Sequence, residues 1–138
     1  MKTVSQILKD SKTIAVVGMS NKPERASYGV AHYLQQQGFR VLPVNPSYAG
    51  QEILGEKVHA SLQDAAAAAG GAIDVVDCFR NPEHMVQVAR DAVAVRAGVL
   101  WMQLGVINQE AADVGSAGGL DVVMDRCMKI EHAAAGRT

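Results

Sequence analysis

Five short apolar runs recur along the chain, Thr13–Val17, Arg40–Val44, Ile73–Asp77, Val99–Leu104 and Asp121–Met124, with helical periodicity between them. The runs are rich in β-branched residues and do not alternate polar with apolar, the pattern of strands covered on both faces in a parallel sheet. Tyr28–Gln37 sets Val30, Tyr33 and Leu34 at helical spacing and stops at Gly38, and the alanine-rich Leu62–Ala69 stops at Gly70-Gly71. Asn81-Pro82-Glu83 is a helix start, with Asn as N-cap and Pro at the first helical position, and the helix continues through Val86, Ala89 and Val93 towards Gly98. Asn108 caps another helix through Val114. With a leading helix, α and β elements alternate throughout. This predicts an α/β fold, one Rossmann-like doubly wound domain over residues 1–138, whose five-stranded, mostly parallel sheet is flanked by helices. Residues 132–138 are expected to be a frayed tail.

Ligands of such folds bind outside the carboxyl ends of the strands, so candidate chemistry is sought there. The first run breaks at Gly18 into Met19-Ser20-Asn21-Lys22-Pro23-Glu24-Arg25, followed by a helix opening at Ser27-Tyr28. Glycine permits a sharp exit, the helix start offers unsatisfied N–H groups, and Lys22 and Arg25 add positive charge, a combination suited to nucleotide phosphates. A dinucleotide fingerprint G-x-G-x-x-G would need glycine where Ser20 and Pro23 stand. The second run ends at Asn45-Pro46, without the acid that holds a ribose 2′-hydroxyl in NAD sites. A phosphorylated ribose is the better partner, and both NADP and coenzyme A (CoA) carry one. CoA is favoured, because no second domain is expected to seat a nicotinamide. The remaining strand ends carry Cys78-Phe79-Arg80, Gln103-Leu104-Gly105 and Asp125-Arg126-Cys127-Met128-Lys129. Five of the 13 Lys and Arg residues (Lys22, Arg25, Arg80, Arg126 and Lys129) fall on this one predicted edge.

Composition narrows the function classes. A net charge of −1 argues against a general nucleic-acid or membrane-surface role, so any useful positive charge must be local. No run approaches the roughly 20 apolar residues of a membrane span, and Met1–Gln6 opens without a signal-peptide core. A cytoplasmic location and free thiols at Cys78 and Cys127 are expected. A homodimer is compatible with this reading, closed symmetric dimers being the commonest assembly.

Gly18-Met19-Ser20-Asn21-Lys22-Pro23 with Arg25 and Ser27-Tyr28, then Val44-Asn45-Pro46, Ile53-Leu54-Gly55-Glu56, Phe79-Arg80, Trp101–Gly105 and Met124–Cys127 together resemble the small stand-alone CoA-binding proteins. These in turn are similar to the CoA-binding domain of the succinyl-CoA synthetase alpha subunit. The resemblance spans about Ser11 to Glu131. It implies a Rossmann-like fold with the CoA diphosphate over Gly18–Asn21, Ser20 as a hydroxyl donor, and Lys22 and Arg25 facing the diphosphate or the 3′-phosphate. It also implies Asn45 and Pro46 beside the nucleotide, Cys78, Phe79 and Arg80 at the adenine end, and Trp101, Gln103 and Gly105 beneath the pantetheine arm. The lysine of the synthetase that follows Asn45-Pro46 is replaced by Ser47-Tyr48, which leaves the 3′-phosphate contact to Arg25 or Arg80.

Several of these residues have a second, structural reading. Ser27 is a favoured N-cap, Trp101 lies in an apolar strand and suits the core, and both cysteines suit burial as small hydrophobes. His32, His59, His84 and His132 lack metal-site spacing and read as surface residues. Glu24, Asp77, Asp125 and Glu131 form no evident acid–base pair, and no serine or cysteine has a triad context. The reading is therefore a non-catalytic module that binds CoA or an acyl-CoA as carrier, sensor or regulator. The alternative is a small NADP- or CoA-dependent redox protein using Cys78 or Cys127, which requires a depressed thiol pKa beside Arg80 or Arg126.

Overall fold

A computed structural model describes residues 1–135. The chain runs α1 (Val4–Asp10), β1 (Thr13–Val17), α2 (Ala26–Gln36), β2 (Arg40–Val44), a hairpin of β3 (Glu52–Ile53) and β4 (Glu56–Lys57), then α3 (Leu62–Ala69), β5 (Val75–Cys78), α4 (Met85–Ala94), β6 (Val99–Met102), α5 (Gln109–Ala117), β7 (Asp121–Val123) and α6 (Met128–Ala135). The five long-range strands pair in parallel in the order β2-β1-β5-β6-β7, a Rossmann-like sheet flanked by six helices. The order reverses between β1 and β5, and there the loops leave in opposite directions and open a crevice. No helix among the described residues is long and apolar enough to cross a membrane.

Both faces of the sheet are covered, as the unbroken apolar runs require. Ala15, Val17, Leu42, Val76, Leu100 and Met102 pack with α3, α4 and α5 on one face. Ile14, Val16, Val41, Val75, Val99 and Trp101 pack with α1, α2 and α6 on the other. Pro43 sits in β2, an edge strand of the sheet, where the missing N–H costs least.

Local chemistry accounts for the boundaries. Thr3 and Gln6 close a capping box on α1, Ser61 caps α3, and Asn108 caps α5 by accepting from Ala111 N–H at 3.0 Å. Three expectations need correction, and one hairpin is added to them. Helix α2 begins at Ala26 with Arg25 as N-cap, because the Ser27 hydroxyl accepts from Ser20 N–H instead. Asn81 makes no side-chain cap, and Pro82–His84 forms a 3-10 turn before α4. The β3–β4 hairpin went unseen because two-residue strands carry no periodicity. The expected fraying from residue 132 is overturned as far as Ala135, since Met128–Ala135 is helical and the His132 ring bonds the Tyr33 hydroxyl at 2.8 Å. The rest of that expected tail, 136–138, lies outside the described residues.

Candidate functional site

The crevice begins where Gly18 turns. Its φ is +83°, and a Cβ there would lie 2.3 Å from the Phe79 carbonyl oxygen, so the β1 and β5 loops touch at a point only glycine permits. Gly18 N–H donates to Val44 C=O and Phe79 N–H to Val17 C=O, which ties three strand ends together. Asn45 holds the loop from the second strand end, donating through Nδ2 to Met19 C=O at 3.0 Å and accepting from Ser47 N–H. Ser20 Oγ accepts from Lys22 N–H at 3.1 Å. The N–H groups of Gly18 and Ser20, expected to meet a diphosphate, are thus engaged within the protein.

What remains for an anion is the start of α2. Arg25 provides no side-chain cap, so the first N–H groups of an 11-residue helix point outward without a side-chain acceptor. They face a hollow of about 400 Å³ lined by Ser20, Lys22, Arg25, Ser27, Tyr48 and Phe79, among others. Two full positive charges and a helix N-terminus therefore converge on one concavity.

Phe79 separates this hollow from a second one of about 420 Å³, bounded by Val30, Arg80, Gln103, Leu104, Val106 and Cys127. On the opposite side of the crevice, Arg80 and Asn45 border a slot of about 170 Å³ with Pro46, Ser61 and Leu62. The three adjoin through shared walls: Gly18 and Asn45 belong to the first hollow and the slot, and Arg80 to the second hollow and the slot. Gln103 is buried, and its Oε1 accepts from Met128 N–H at 2.9 Å, so the fourth strand end caps α6.

The sequence-based site residues divide accordingly. Gly18, Ser20, Lys22, Arg25, Ser27, Asn45, Pro46, Phe79, Arg80 and Gln103 come together around the crevice. Met19, Cys78 and Trp101 are instead buried in the core, and Trp101 Nε1 donates to Arg126 C=O at 2.8 Å, so the indole braces a loop rather than flooring a cleft. Asn21 is exposed and reaches Gln51, and Tyr28 packs against the core beside His32. The predicted basic cluster shrinks to Lys22, Arg25 and Arg80. Arg126 pairs with Glu131 at 2.7 Å, and Lys129 lies over the Tyr33 ring. His132 is partly buried against Tyr33 and Phe39, unlike the surface residue expected. Tyr48, Leu104 and Val106 are lining residues that carried no sequence signal beyond their loop positions.

Titratable chemistry at the crevice is sparse. Burial pushes the Asp77 carboxyl well above its usual range, and neither oxygen has a hydrogen-bond partner. Burial, and secondarily the neighbouring Asp77, push the Cys78 thiol up as well. This runs against the depressed thiol that the redox alternative requires at Cys78 and agrees with its reading as a buried small hydrophobe. Cys127 is partly exposed. A thiol reagent applied to the folded protein is therefore expected to label Cys127 and spare Cys78, read by peptide mass; equal labelling would contradict this burial. Among the described residues, no three His, Cys, Asp or Glu side chains are placed to hold a metal.

Residues 12–133 match the model of a family described as the CoA binding domain. The chain belongs to that family. This CoA-binding domain is 39% identical over 130 residues to the uncharacterized protein YneT of Bacillus subtilis (strain 168), covering 94% of this chain and 92% of the relative. It superposes on a Thermus thermophilus structure, cell-free ID.343, with a TM-score of 0.89, 36% identity, and 97% and 99% of the two chains covered. A hypothetical protein from Pyrococcus horikoshii OT3 gives a TM-score of 0.88, 38% identity, and coverage of 96% and 89%. The match embraces every crevice residue named above, so the CoA-binding domain is the setting in which their chemistry is to be read.

Proposed function

We propose that this chain binds coenzyme A, or an acyl-CoA, along the carboxyl edge of its sheet, without chemistry of its own, as a carrier, sensor or regulatory module. The carrying observation is the α2 N-terminus, left without a side-chain cap and facing a hollow that Lys22 and Arg25 also line. A diphosphate or 3′-phosphate answers both the orphan N–H groups and the charge. The less polar hollow beyond Phe79 suits the pantetheine arm, and the slot beside Arg80 suits the adenine end. Asp77 and Cys78 are sealed in the core, and among the described residues that line the crevice no two carboxyl or imidazole groups pair as acid and base, which favours binding over catalysis.

The test is calorimetric titration of ligand-stripped protein with CoA, 3′-dephospho-CoA, NADP and NAD. CoA is expected to bind tightest and to weaken on loss of the 3′-phosphate. Lys22→Ala and Arg25→Ala are each expected to weaken CoA binding by about 1–3 kcal/mol, the worth of a hydrogen bond to a charged group. Arg96→Ala is the control, since Arg96 stands just past α4 and ahead of β6, at the opposite end of the sheet. Preference for NADP, or equal losses at all three positions, would refute the proposal.

The redox alternative survives only through Cys127, which borders the second hollow. Its thiolate would attack a CoA disulfide, join one CoA by a mixed disulfide and release the other as the thiol. Absence of that mass increase after exposure to CoA disulfide would remove the alternative.

A further inference from the structure

The second hollow does not end at its far wall. Leu104 and Cys127 also border a third hollow of about 380 Å³, whose other walls include Met124, Asp125, Arg126 and Ile130. Four large hydrophobic side chains stand well exposed among the described residues, and two of them, Leu104 at 60% and Ile130 at 57%, face this one space. A single exposed Leu or Ile is ordinary, but two around the outlet of a ligand cleft form apolar surface that a ligand group would cover. Met124 adds a pliable wall able to follow different shapes.

The charges around this space decide what kind of group suits it. Arg126 is neutralised by Glu131 at 2.7 Å, and Glu131 is itself part of the wall. Asp125, which accepts from Gly105 N–H at 2.8 Å, leaves one negative charge in excess. An anionic group entering here meets net repulsion and must compete with Glu131 for Arg126. A neutral apolar group meets Leu104, Met124 and Ile130.

Resting on the CoA reading above, we propose that the ligand is a CoA thioester carrying a neutral, short- to medium-chain acyl group, with that group covering Leu104, Met124 and Ile130. Phosphates at Lys22 and Arg25 and the arm along Phe79 and Gln103 bring the sulfur end to the outlet between Leu104 and Cys127, and the acyl chain continues from there. Free CoA leaves the apolar walls uncovered, so occupancy of the site reports the acylation state of the CoA pool.

The test compares CoA, butyryl-CoA, hexanoyl-CoA and succinyl-CoA by calorimetry on the wild type and on Ile130→Asp, an exposed side chain that borders the third hollow and not the second. Hexanoyl-CoA is expected to bind about tenfold tighter than CoA, with butyryl-CoA between them, for methylenes covered on one side only. Succinyl-CoA is expected to bind no tighter than CoA. The variant is expected to keep its affinity for CoA and lose most of the hexanoyl preference. CoA binding with no gain for the acyl forms, tightest binding of succinyl-CoA, or a preference that survives in Ile130→Asp would overturn the proposal and leave CoA recognition standing. Silence towards CoA and every thioester would instead overturn the CoA reading, and the inference with it.

Discussion

Gly18→Ala is expected to lower stability by about 3 kcal/mol or more, combining a strained backbone conformation with a steric contact that forces the backbone to move. The added Cβ would meet the Phe79 carbonyl oxygen at 2.3 Å and its carbon at 3.0 Å, both backbone atoms that no rotamer change can withdraw. To relieve the overlap, the β1 loop must part from the β5 loop, loosening Gly18 N–H from Val44 C=O and Phe79 N–H from Val17 C=O. The same movement shifts Ser20 and Lys22 away from the start of α2, so CoA affinity is expected to fall more than tenfold, on the scale of at least one lost hydrogen bond to a charged group. Gly38 separates the two contributions, for its φ is +96° yet nothing lies within 4 Å of its would-be Cβ. Gly38→Ala should cost only about 1–2 kcal/mol for the left-handed conformation and leave CoA binding alone. Denaturant unfolding of both variants measures the difference; equal losses would mean that the interloop contact contributes nothing.

How much of this was legible in the sequence depends on what each residue's signal was. Thr13–Val17 and Arg40–Val44 were read to the residue, because β-branched runs ending at a glycine or at Asn-Pro leave little choice of boundary. The third strand was read as Ile73–Asp77 but runs Val75–Cys78, since the Asp74 carboxylate accepts from Lys12 N–H and Thr13 N–H at the strand entrance. Such a contact spans some sixty positions, and no local pattern records it. The fourth run was extended to Leu104, whereas Gln103 turns away to cap α6. The same blindness to side-chain partners explains the tail: α6 is held by Trp101, Gln103 and Tyr33, none of them its sequence neighbours. At the crevice, the charge and backbone freedom of Gly18, Lys22, Arg25 and Arg80 are legible in the sequence because those properties belong to residue type. Burial does not. Met19, Cys78 and Trp101 stand in a resembling motif, but in the fold they support the crevice from below. Motif membership identified the neighbourhood, and only packing separates the surface that meets a ligand from the layer that holds that surface in place.

Asp77→Asn is expected to stabilise the protein at neutral pH, by about 1.4 kcal/mol for each pH unit over which the fold keeps Asp77 protonated and the unfolded chain does not, and to change how stability depends on pH. Asp77 lies on β5 between Val16 and Trp101 in register, fully buried, with both carboxyl oxygens unpartnered. Burial raises its folded-state pKa well above the unfolded value, so the folded state holds a proton that the unfolded chain releases near pH 4. Between the unfolded and folded pKa values the native state binds more protons, and stability falls as pH rises, by about 1.4 kcal/mol per pH unit for one proton. Below the unfolded pKa both states are protonated and the contribution vanishes. Other carboxylates also titrate in the acid range, so the informative quantity is the difference between variant and wild type. That difference should be smallest around pH 4 and widen as pH rises for as long as the fold holds the proton, as measured by urea unfolding at each pH. A difference that stays flat would mean that Asp77 is ionised in the fold, with a partner for its charge. While it holds its proton, Asp77 places no negative charge in the layer beneath the crevice, where on the CoA reading an ionised carboxylate would oppose the ligand's phosphates.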